Sequence, residues 1–166
     1  MAAERHHIVT ALVENKAGVL ARVAGLFSRR GYNIFSLAVA PTDDKRFSRV
    51  TIVVDVESAP LEQIVAQLDK LINVVEILDL SPLQATEREL LLATVSVAED
   101  DRGELLERVA HAGAAIVDFS ASAVTVSLSG TPAAIDAFER SLSERYPSPQ
   151  VQRTGRVALP RLHPSA

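Results

Sequence analysis

The turn at residues 15–18 (Asn-Lys-Ala-Gly) is the part of the sequence best suited to hold a small ligand. It lies between an apolar strand pattern and an amphipathic helix pattern, so the free N–H groups of a helix N-terminus lie beside Gly18. Such N–H groups bind carboxylates readily. The Asn15 side chain both donates and accepts hydrogen bonds, which suits the two charged ends of an amino acid. An equally weighted interpretation is that Asn15 and Gly18 only form the turn.

The composition excludes several classes of function. The chain has no cysteine, so disulfides, thiolate metal sites and a cysteine nucleophile are ruled out. A net charge of -4 argues against a nucleic-acid binder that neutralises phosphates. No apolar run reaches the ~18 residues of a membrane span, and the N-terminus lacks a signal-peptide pattern. We therefore expect a cytoplasmic protein with no nucleic-acid or membrane partner.

The first 80 residues alternate between strand and helix patterns. Apolar, β-branched runs predict strands at residues 7–13, 33–40, 47–56 and 73–80. Apolar residues at helical spacing predict helices at residues 18–30, ended by Gly31, and at residues 59–70, opened by Pro60. The resulting order βαββαβ is that of a ferredoxin-like domain.

The second half repeats this order more weakly, after a polar linker predicted at residues 81–88. Strands are predicted at residues 90–97, 115–119, 124–128 and 151–157, and helices at residues 103–111 and 131–143. Similarity of residues 17–20 to 102–105, and of 34–36 to 118–120, supports a duplication. The sequence thus predicts an α+β chain with two tandem ferredoxin-like domains, at residues 1–80 and 89–159, and a flexible tail at 160–166.

The turn of the second half carries acidic residues where the first half carries the glycine turn. Asp100 and Asp101 lie next to the predicted helix start, where they would repel a ligand carboxylate. We therefore assign the ligand site to the first half and a structural or partner-binding role to the second. Together with Glu99 they form a candidate Mg²⁺ site, but a capped helix start explains the same residues more simply.

Several segments of the chain resemble the regulatory (small) subunits of acetohydroxyacid synthase, also called acetolactate synthase. The resemblance is carried by ENKAGVLARVAGLFSRRGYNI, SLAVAPTDD, SRVTIVV and LEQIVAQLDKLINV, and by DFS at residues 118–120 and the closing TGRVAL. It therefore covers nearly the whole chain. Phe35 departs from the family, whose members commonly have a glutamate there.

The resemblance implies that the first domain is an ACT domain, which binds a branched-chain amino acid, usually valine, between two ACT domains of a homodimer. The matching positions are Asn15, Lys16, Ala17, Gly18, Val19 and Leu20 from one chain, with Asn33 and Ile34 from the facing chain. It implies no catalytic residue, metal or cofactor in this chain. Such a subunit docks on a separate catalytic subunit that carries thiamine diphosphate, Mg²⁺ and FAD, activates it, and confers feedback inhibition.

Other classes of protein remain as alternatives. A free-standing ACT-domain sensor that regulates another pathway enzyme would share the ligand turn and differ in its partner. An acylphosphatase of this topology needs a catalytic arginine in the loop, where this chain has Lys16. An RNA-binding module needs aromatic residues on its central strands, and apart from Tyr32 and Phe35 these strands are aliphatic.

Overall fold

A computed structural model of the chain describes residues 6–55, 61–81 and 83–163, and these form two units. The first unit combines the residues up to Thr86 with those from Arg156 onward, and the second comprises residues 87–155. Each unit has an antiparallel sheet and two helices, which confirms the predicted α+β class with two ferredoxin-like domains. No helix in the described part of the chain is long and apolar enough to cross a membrane.

The first unit follows the predicted order βαββαβ. Its elements are β1 (His6–Glu14), α1 (Val19–Arg30), β2 (Ile34–Pro41), β3 (Phe47–Asp55), α2 (Leu61–Leu68) and β4 (Val74–Leu80). The strand order β2-β3-β1-β4 leaves β2 and β4 at the two edges of the sheet. Pro60 and Ala59, which predicted the start of the second helix, lie outside the described residues, and α2 ends two residues before the predicted Lys70.

Both helices of this unit pack on one face of the sheet. Alternate residues of β1 point to that face because side chains alternate along a strand, while α1 and α2 contribute residues at helical spacing. The buried set is Val9, Ala11, Val13, Val19, Val23, Leu26, Phe27, Val50, Ile52, Val54, Ile64 and Leu68.

The other face of the first sheet is covered by two segments that the sequence did not predict to belong there. Ile8, Val53 and Leu80 are buried against Ala85 and Ala158. Ala85 starts β5 (Ala85–Ser96), and Ala158 lies in β9 (Val157–Pro160), which pairs with β5. An apolar sheet face must be covered, and the small alanine side chains let the backbones of β5 and β9 approach the sheet closely.

The predicted linker and tail therefore differ from the structure. Residues 85–88 of the expected linker at 81–88 belong to β5. In the expected flexible tail, the Arg161 N–H donates to the Gln84 carbonyl oxygen at 2.7 Å, and its Nε donates to the Ala85 carbonyl oxygen at 2.9 Å. The predicted strand at 151–157 is two short strands separated by Gly155, which has a φ of 82°. Residues 164–166 lie outside the described part of the chain.

The second unit repeats the architecture with its own core. Its elements are most of β5, α3 (Arg102–Ala112), β6 (Ala115–Phe119), β7 (Ala123–Gly130), α4 (Pro132–Arg145) and β8 (Gln150–Arg153), in the strand order β6-β7-β5-β8. The helix α4 starts as predicted, because the Thr131 hydroxyl accepts the Ala134 N–H and Pro132 occupies the first turn. The core includes Leu91, Leu105, Val126, Ile135 and Leu142.

Arg153 is the ionic centre of this second unit. Its Nη2 lies 2.7 Å from Glu89 Oε2, and its Nη1 lies 2.8 Å from Asp136 Oδ1 and 2.9 Å from Glu139 Oε2. Hydrogen bonding to Glu89, first of all, raises the pKa of the Arg153 guanidinium. Glu89 is only 5% exposed, so its carboxylate depends on this guanidinium for compensation of its charge.

The structure aligns the two repeats differently from the sequence. Gly31 and Gly113 end the first helices with the same φ of 69°, and the second strands bulge at Phe35 and Val117. Both pairs are 82 residues apart (113 − 31 and 117 − 35). The predicted matches were offset by 85 and 84 residues, so they were wrong by two or three positions. At the helix starts, Gly18 precedes α1 and Asp101 precedes α3.

Candidate functional site

Gly18 shapes the turn through its backbone conformation. Its φ of +84° is left-handed, a conformation that glycine adopts without the steric cost that a Cβ imposes. A Cβ added to Gly18 would meet no atom within 4 Å, so crowding in this chain does not require the glycine, and the space beside it is open.

The helix N-terminus beside Gly18 is uncapped. The helix α1 begins at Val19 with no acidic residue in its first turn and no side-chain cap. The Val19 N–H donates to the Lys16 carbonyl oxygen at 3.3 Å, whereas Leu20 and Ala21, in the first turn, have no intrahelical acceptor for their N–H groups. The turn therefore presents free donors and a partial positive charge to a ligand carboxylate.

Asn15 fixes the turn against the loop that joins β2 and β3. Its Nδ2 donates to the Lys45 carbonyl oxygen at 3.0 Å, and its backbone N–H donates to the Arg46 carbonyl oxygen at 2.7 Å. The loop is closed by Asp44, whose Oδ2 lies 2.6 Å from Arg46 Nη2, and this hydrogen bonding lowers the pKa of Asp44. Asn15 thus has the structural role of a turn residue, while its Oδ1 accepts no hydrogen bond from the described residues and can accept one from a ligand ammonium.

Charged groups surround the turn without blocking it. Lys16 Nζ lies 3.0 Å from Glu14 Oε1, and Glu14 also accepts a hydrogen bond from Asn73 Nδ2. Hydrogen bonds from Asn73 and then Lys16 lower the pKa of Glu14. Arg22 Nη1 donates to Asn73 Oδ1 at 2.7 Å, which connects the first turns of α1 to the start of β4.

The apolar residues of the predicted site divide into buried and exposed positions. Val19 is 5% exposed and packs in the core, so it can offer a ligand its backbone but little of its side chain. Leu20 is 44% exposed and is free to contact an aliphatic group. Ala17 is exposed beside it.

Asn33 and Ile34 do not meet the turn within one chain. The 12-residue helix α1 separates them from Gly18 by roughly 18 Å along its axis, at a rise of ~1.5 Å per residue. Asn33 is exposed and precedes β2, while Ile34 is half-buried against the core. The structure therefore brings together residues 15–20 and leaves Asn33 and Ile34 at the far end of the unit.

Sequence reasoning missed the residues that support the turn from elsewhere in the chain. The Lys45 and Arg46 carbonyl groups hold Asn15, and Asn73 links Glu14 to Arg22. They lie some 30 to 60 residues from the turn in the chain (45 − 15 and 73 − 14), and backbone carbonyls leave no mark in the sequence. No local pattern could have identified them.

The equivalent position in the second unit is occupied by internal ion pairs. Asp101 Oδ1 lies 3.0 Å from Arg145 Nη2, and Glu104 pairs with both Arg145 and Arg108 at 2.8 Å. Hydrogen bonding, to Arg145 first, lowers the pKa of Glu104. Asp101 precedes α3 without capping it through its side chain. Across residues 6–55, 61–81 and 83–163, no three metal-ligating side chains lie together.

Comparisons with known proteins agree with this arrangement. The sequence model described as the AHAS small subunit-like ACT domain matches residues 9–76, and that described as the small subunit of acetolactate synthase matches residues 88–162. The acetolactate synthase small subunit of Mycolicibacterium smegmatis is 46% identical over 155 residues, which are 93% of this chain and 91% of that protein. A probable acetolactate synthase small subunit of Archaeoglobus fulgidus is 41% identical, with 93% and 96% covered.

A solved structure extends the likeness to three dimensions. The crystal structure of the acetolactate synthase small subunit from Thermotoga maritima matches with a TM-score of 0.86 and 34% identity, covering 96% of this chain and 99% of that one. With that coverage the match spans both units and is not confined to the ACT domain. This chain belongs to the family of acetolactate synthase small subunits.

Proposed function

We propose that this chain is the regulatory subunit of acetolactate synthase, and that it activates a separate catalytic subunit and confers feedback inhibition by valine or a related branched-chain amino acid. The names of its relatives support a partnership with a larger subunit. In this proposal the chain itself has no catalytic residue. Thiamine diphosphate, Mg²⁺ and FAD belong to the catalytic subunit, and the assembly works in the cytoplasm.

One observation supports a ligand site shared by two chains: the two groups of predicted site residues lie at opposite ends of one unit. Asn15 is hydrogen-bonded to the loop that follows β2, so the turn at residues 15–18 lies at the end of β2. Asn33 and Ile34 lie at the start of β2. If two chains pair through antiparallel β2 edges, the start of each β2 lies beside the end of the other. The two halves of the site then meet twice, once at each end of the interface.

The composition of the edge strands supports pairing through β2. Residues 34–41 (IFSLAVAP) carry no charge, and Phe35 and Val39 are 50% and 42% exposed. The opposite edge, β4, carries Glu76 and Asp79, so two copies of this strand would bring like charges close together. An unpaired strand edge can pair with another strand. Of the two edges, the uncharged β2 is the better suited to pair with β2 of a second chain.

The resulting pocket explains recognition of an aliphatic amino acid. The α-carboxylate binds the free N–H groups at the start of α1, and Asn15 of one chain with Asn33 of the other holds the ammonium. Leu20 and the partner copy of Ile34 contact the isopropyl group. One methylene changes binding by only ~1–3 kcal/mol, so leucine and isoleucine are weaker competitors and not excluded ligands.

Feedback inhibition then follows from linkage. Valine favours the arrangement of the paired ACT domains that it binds more tightly, and it inhibits because that arrangement interacts differently with the catalytic subunit. A coupling free energy of ~1–3 kcal/mol is typical and suffices for a strong response.

A thermal-shift titration against valine, leucine, isoleucine, glycine and lysine tests the ligand. At a hundredfold excess over Kd, a ligand of the folded state adds about 2.7 kcal/mol of stability. We expect a dose-dependent rise in Tm with valine and none with glycine or lysine. A response to glycine or lysine alone would instead identify a free-standing ACT-domain sensor of another pathway.

The dimer has its own test. Val39→Lys places a charge on the β2 edge, whereas Val75→Lys, at a position 57% exposed on the β4 edge, is the matched control. We expect Val39→Lys to yield monomers in sedimentation analysis and to lose valine binding, because both halves of the site separate. A dimer that survives Val39→Lys and is lost with Val75→Lys would refute the β2 interface.

A further inference from the structure

A groove between α2 and β4 lies on the sheet edge opposite β2. Its cavity volume is about 460 Å³, within the ~300–1,000 Å³ typical of small-molecule sites and so large enough for a side chain of a partner. Its apolar floor is formed by Val65, Ala66, Val74, Val75 and Ile77. All of these residues belong to the first unit, and neither the fold nor the ligand site explains the groove.

The rim of the groove is acidic, and few basic side chains lie near its carboxylates. Glu62, Asp69, Glu76 and Asp79 line it, and no lysine, arginine or histidine does. Within the described part of the chain, the side chains of Glu62 and Asp69 make no hydrogen bond or ion pair. Glu76 Oε2 lies 4.0 Å from Arg49 Nη2, at the limit of an ion pair, and Asp79 Oδ1 lies 3.9 Å from His7 Nδ1, too far for a hydrogen bond. The groove therefore holds a concentrated negative potential.

The edge strand β4, beside the groove, indicates which kind of partner can bind there. Among the residues that the structure describes, β4 pairs with β1 alone, so its outer N–H and C=O groups are available to an extended segment. A second copy of β4 is disfavoured because both strands would carry carboxylates at this edge. The register shift near Leu12 leaves Val75 as an extra residue of β4, and this side chain of the floor is 57% exposed. An apolar floor with an acidic rim fits a segment that carries lysine or arginine beside an aliphatic residue.

We infer that this groove binds an extended, positively charged segment of the catalytic subunit. The segment lies along β4, its apolar side chain rests on Val65 and Ile77, and its cations pair with Glu62 and Asp69. The inference rests on the proposed function, since it names the surface through which the regulatory subunit docks. It assigns the two edges of one sheet to different partners, with β2 binding a second copy and β4 binding the catalytic subunit.

Charge reversal at the two unpaired carboxylates tests the inference in the full chain. The variant Glu62→Lys/Asp69→Lys is compared with the neutral Glu62→Gln/Asp69→Asn and with a matched control, Glu107→Lys/Glu144→Lys, on exposed helix positions of the second unit. The affinity for the purified catalytic subunit of the same organism is measured by biolayer interferometry between low and high NaCl. The valine-dependent rise in Tm is recorded for every variant as the measure of correct folding.

We expect the affinity to fall on the order of tenfold with the neutral pair and further with the reversed pair, and the salt dependence to weaken in the same order. The control pair and the valine response should match the wild type. Wild-type affinity in the reversed pair, an equal loss in the control, or a changed mass of the isolated chain would overturn the inference. A wild-type chain that binds no catalytic subunit would instead refute the proposed function itself.

Discussion

Substituting Gly18 by aspartate or by asparagine separates the charge of the turn from its backbone conformation. Both side chains are nearly the same size, and both residues tolerate the left-handed region better than other L-residues do. The left-handed region costs an ordinary L-residue roughly 1–2 kcal/mol, and loss of glycine freedom in the unfolded chain offsets about 0.4–1 kcal/mol of this. Because a Cβ at Gly18 would meet nothing within 4 Å, no steric cost is added. Both variants should therefore fold, with Tm within roughly 2–4 °C of the wild type.

The two variants should differ sharply in ligand binding. A side-chain carboxylate about 4 Å from the ligand carboxylate repels it by about 4 kcal/mol at an effective dielectric constant of about 20. The turn is exposed, so we halve this value to about 2 kcal/mol, which still weakens binding roughly thirtyfold. Gly18→Asn carries no charge and should lose only a few-fold in affinity.

Isothermal titration calorimetry with valine, at about 0.1 M and about 1 M NaCl, measures this difference. The Debye length falls from about 10 Å to about 3 Å between these conditions, so part of the affinity lost in Gly18→Asp should return at high salt. Gly113→Ala, at the left-handed residue that ends α3 in the second unit, controls for a general loss of stability and should bind valine normally. Equal losses in the aspartate and asparagine variants, or wild-type binding by Gly18→Asp, would refute electrostatic recognition at this helix N-terminus.

Three further changes have distinct expected outcomes. Asn15→Ala removes the hydrogen bond to the Lys45 carbonyl oxygen at a cost of about 1 kcal/mol and should abolish the valine response while activation of the catalytic subunit persists. Arg153→Met leaves the Glu89 carboxylate buried without its guanidinium, which should lower the urea-unfolding free energy of the second unit by about 3 kcal/mol, and adding Glu89→Gln should recover most of it. The pKa of Glu104 is lowered in the folded chain, so its stabilisation is present above the unfolded value of 4.5 and is lost as pH falls through the folded value. Glu104→Gln should therefore reduce the fall in the unfolding free energy as the pH is lowered below 4.5. An unchanged fall would show that other carboxylates cause it.

The elements of each unit could be predicted because their signals are local. The apolar, β-branched run of β3 and the helical spacing in α1 are visible within nine to twelve residues, and Gly31 ends α1 as its position predicts. The turn at residues 15–20 could be predicted for the same reason, since its members are adjacent in the chain. The repeat was misaligned because Gly103 lies inside α3 and offered a false match to Gly18, while the helix ends and the strand bulges carry the true correspondence.

Long-range features could not be predicted from local patterns. In β1, residues 8–11 are all buried, so the strand does not alternate as one with a single covered face would. The cover on its second face comes from Ala85 and Ala158, and single alanines give no sign of such a role. The distance between the two halves of the proposed ligand site likewise depends on α1 lying along the sheet, and the sequence of the matching residues does not indicate this.

The path of the chain determines how the first unit, with its proposed amino-acid site, can be studied alone. A fragment that stops at Thr86 would omit Ala158 and the segment after Arg156, and so expose Ile8, Val53 and Leu80 to water. Such a fragment would misfold or aggregate for reasons unrelated to ligand recognition. A fragment of the first unit must therefore keep the segment after Arg156 together with the residues up to Thr86. Loss of valine response in a simple truncation would otherwise be mistaken for a contribution of the second unit to binding.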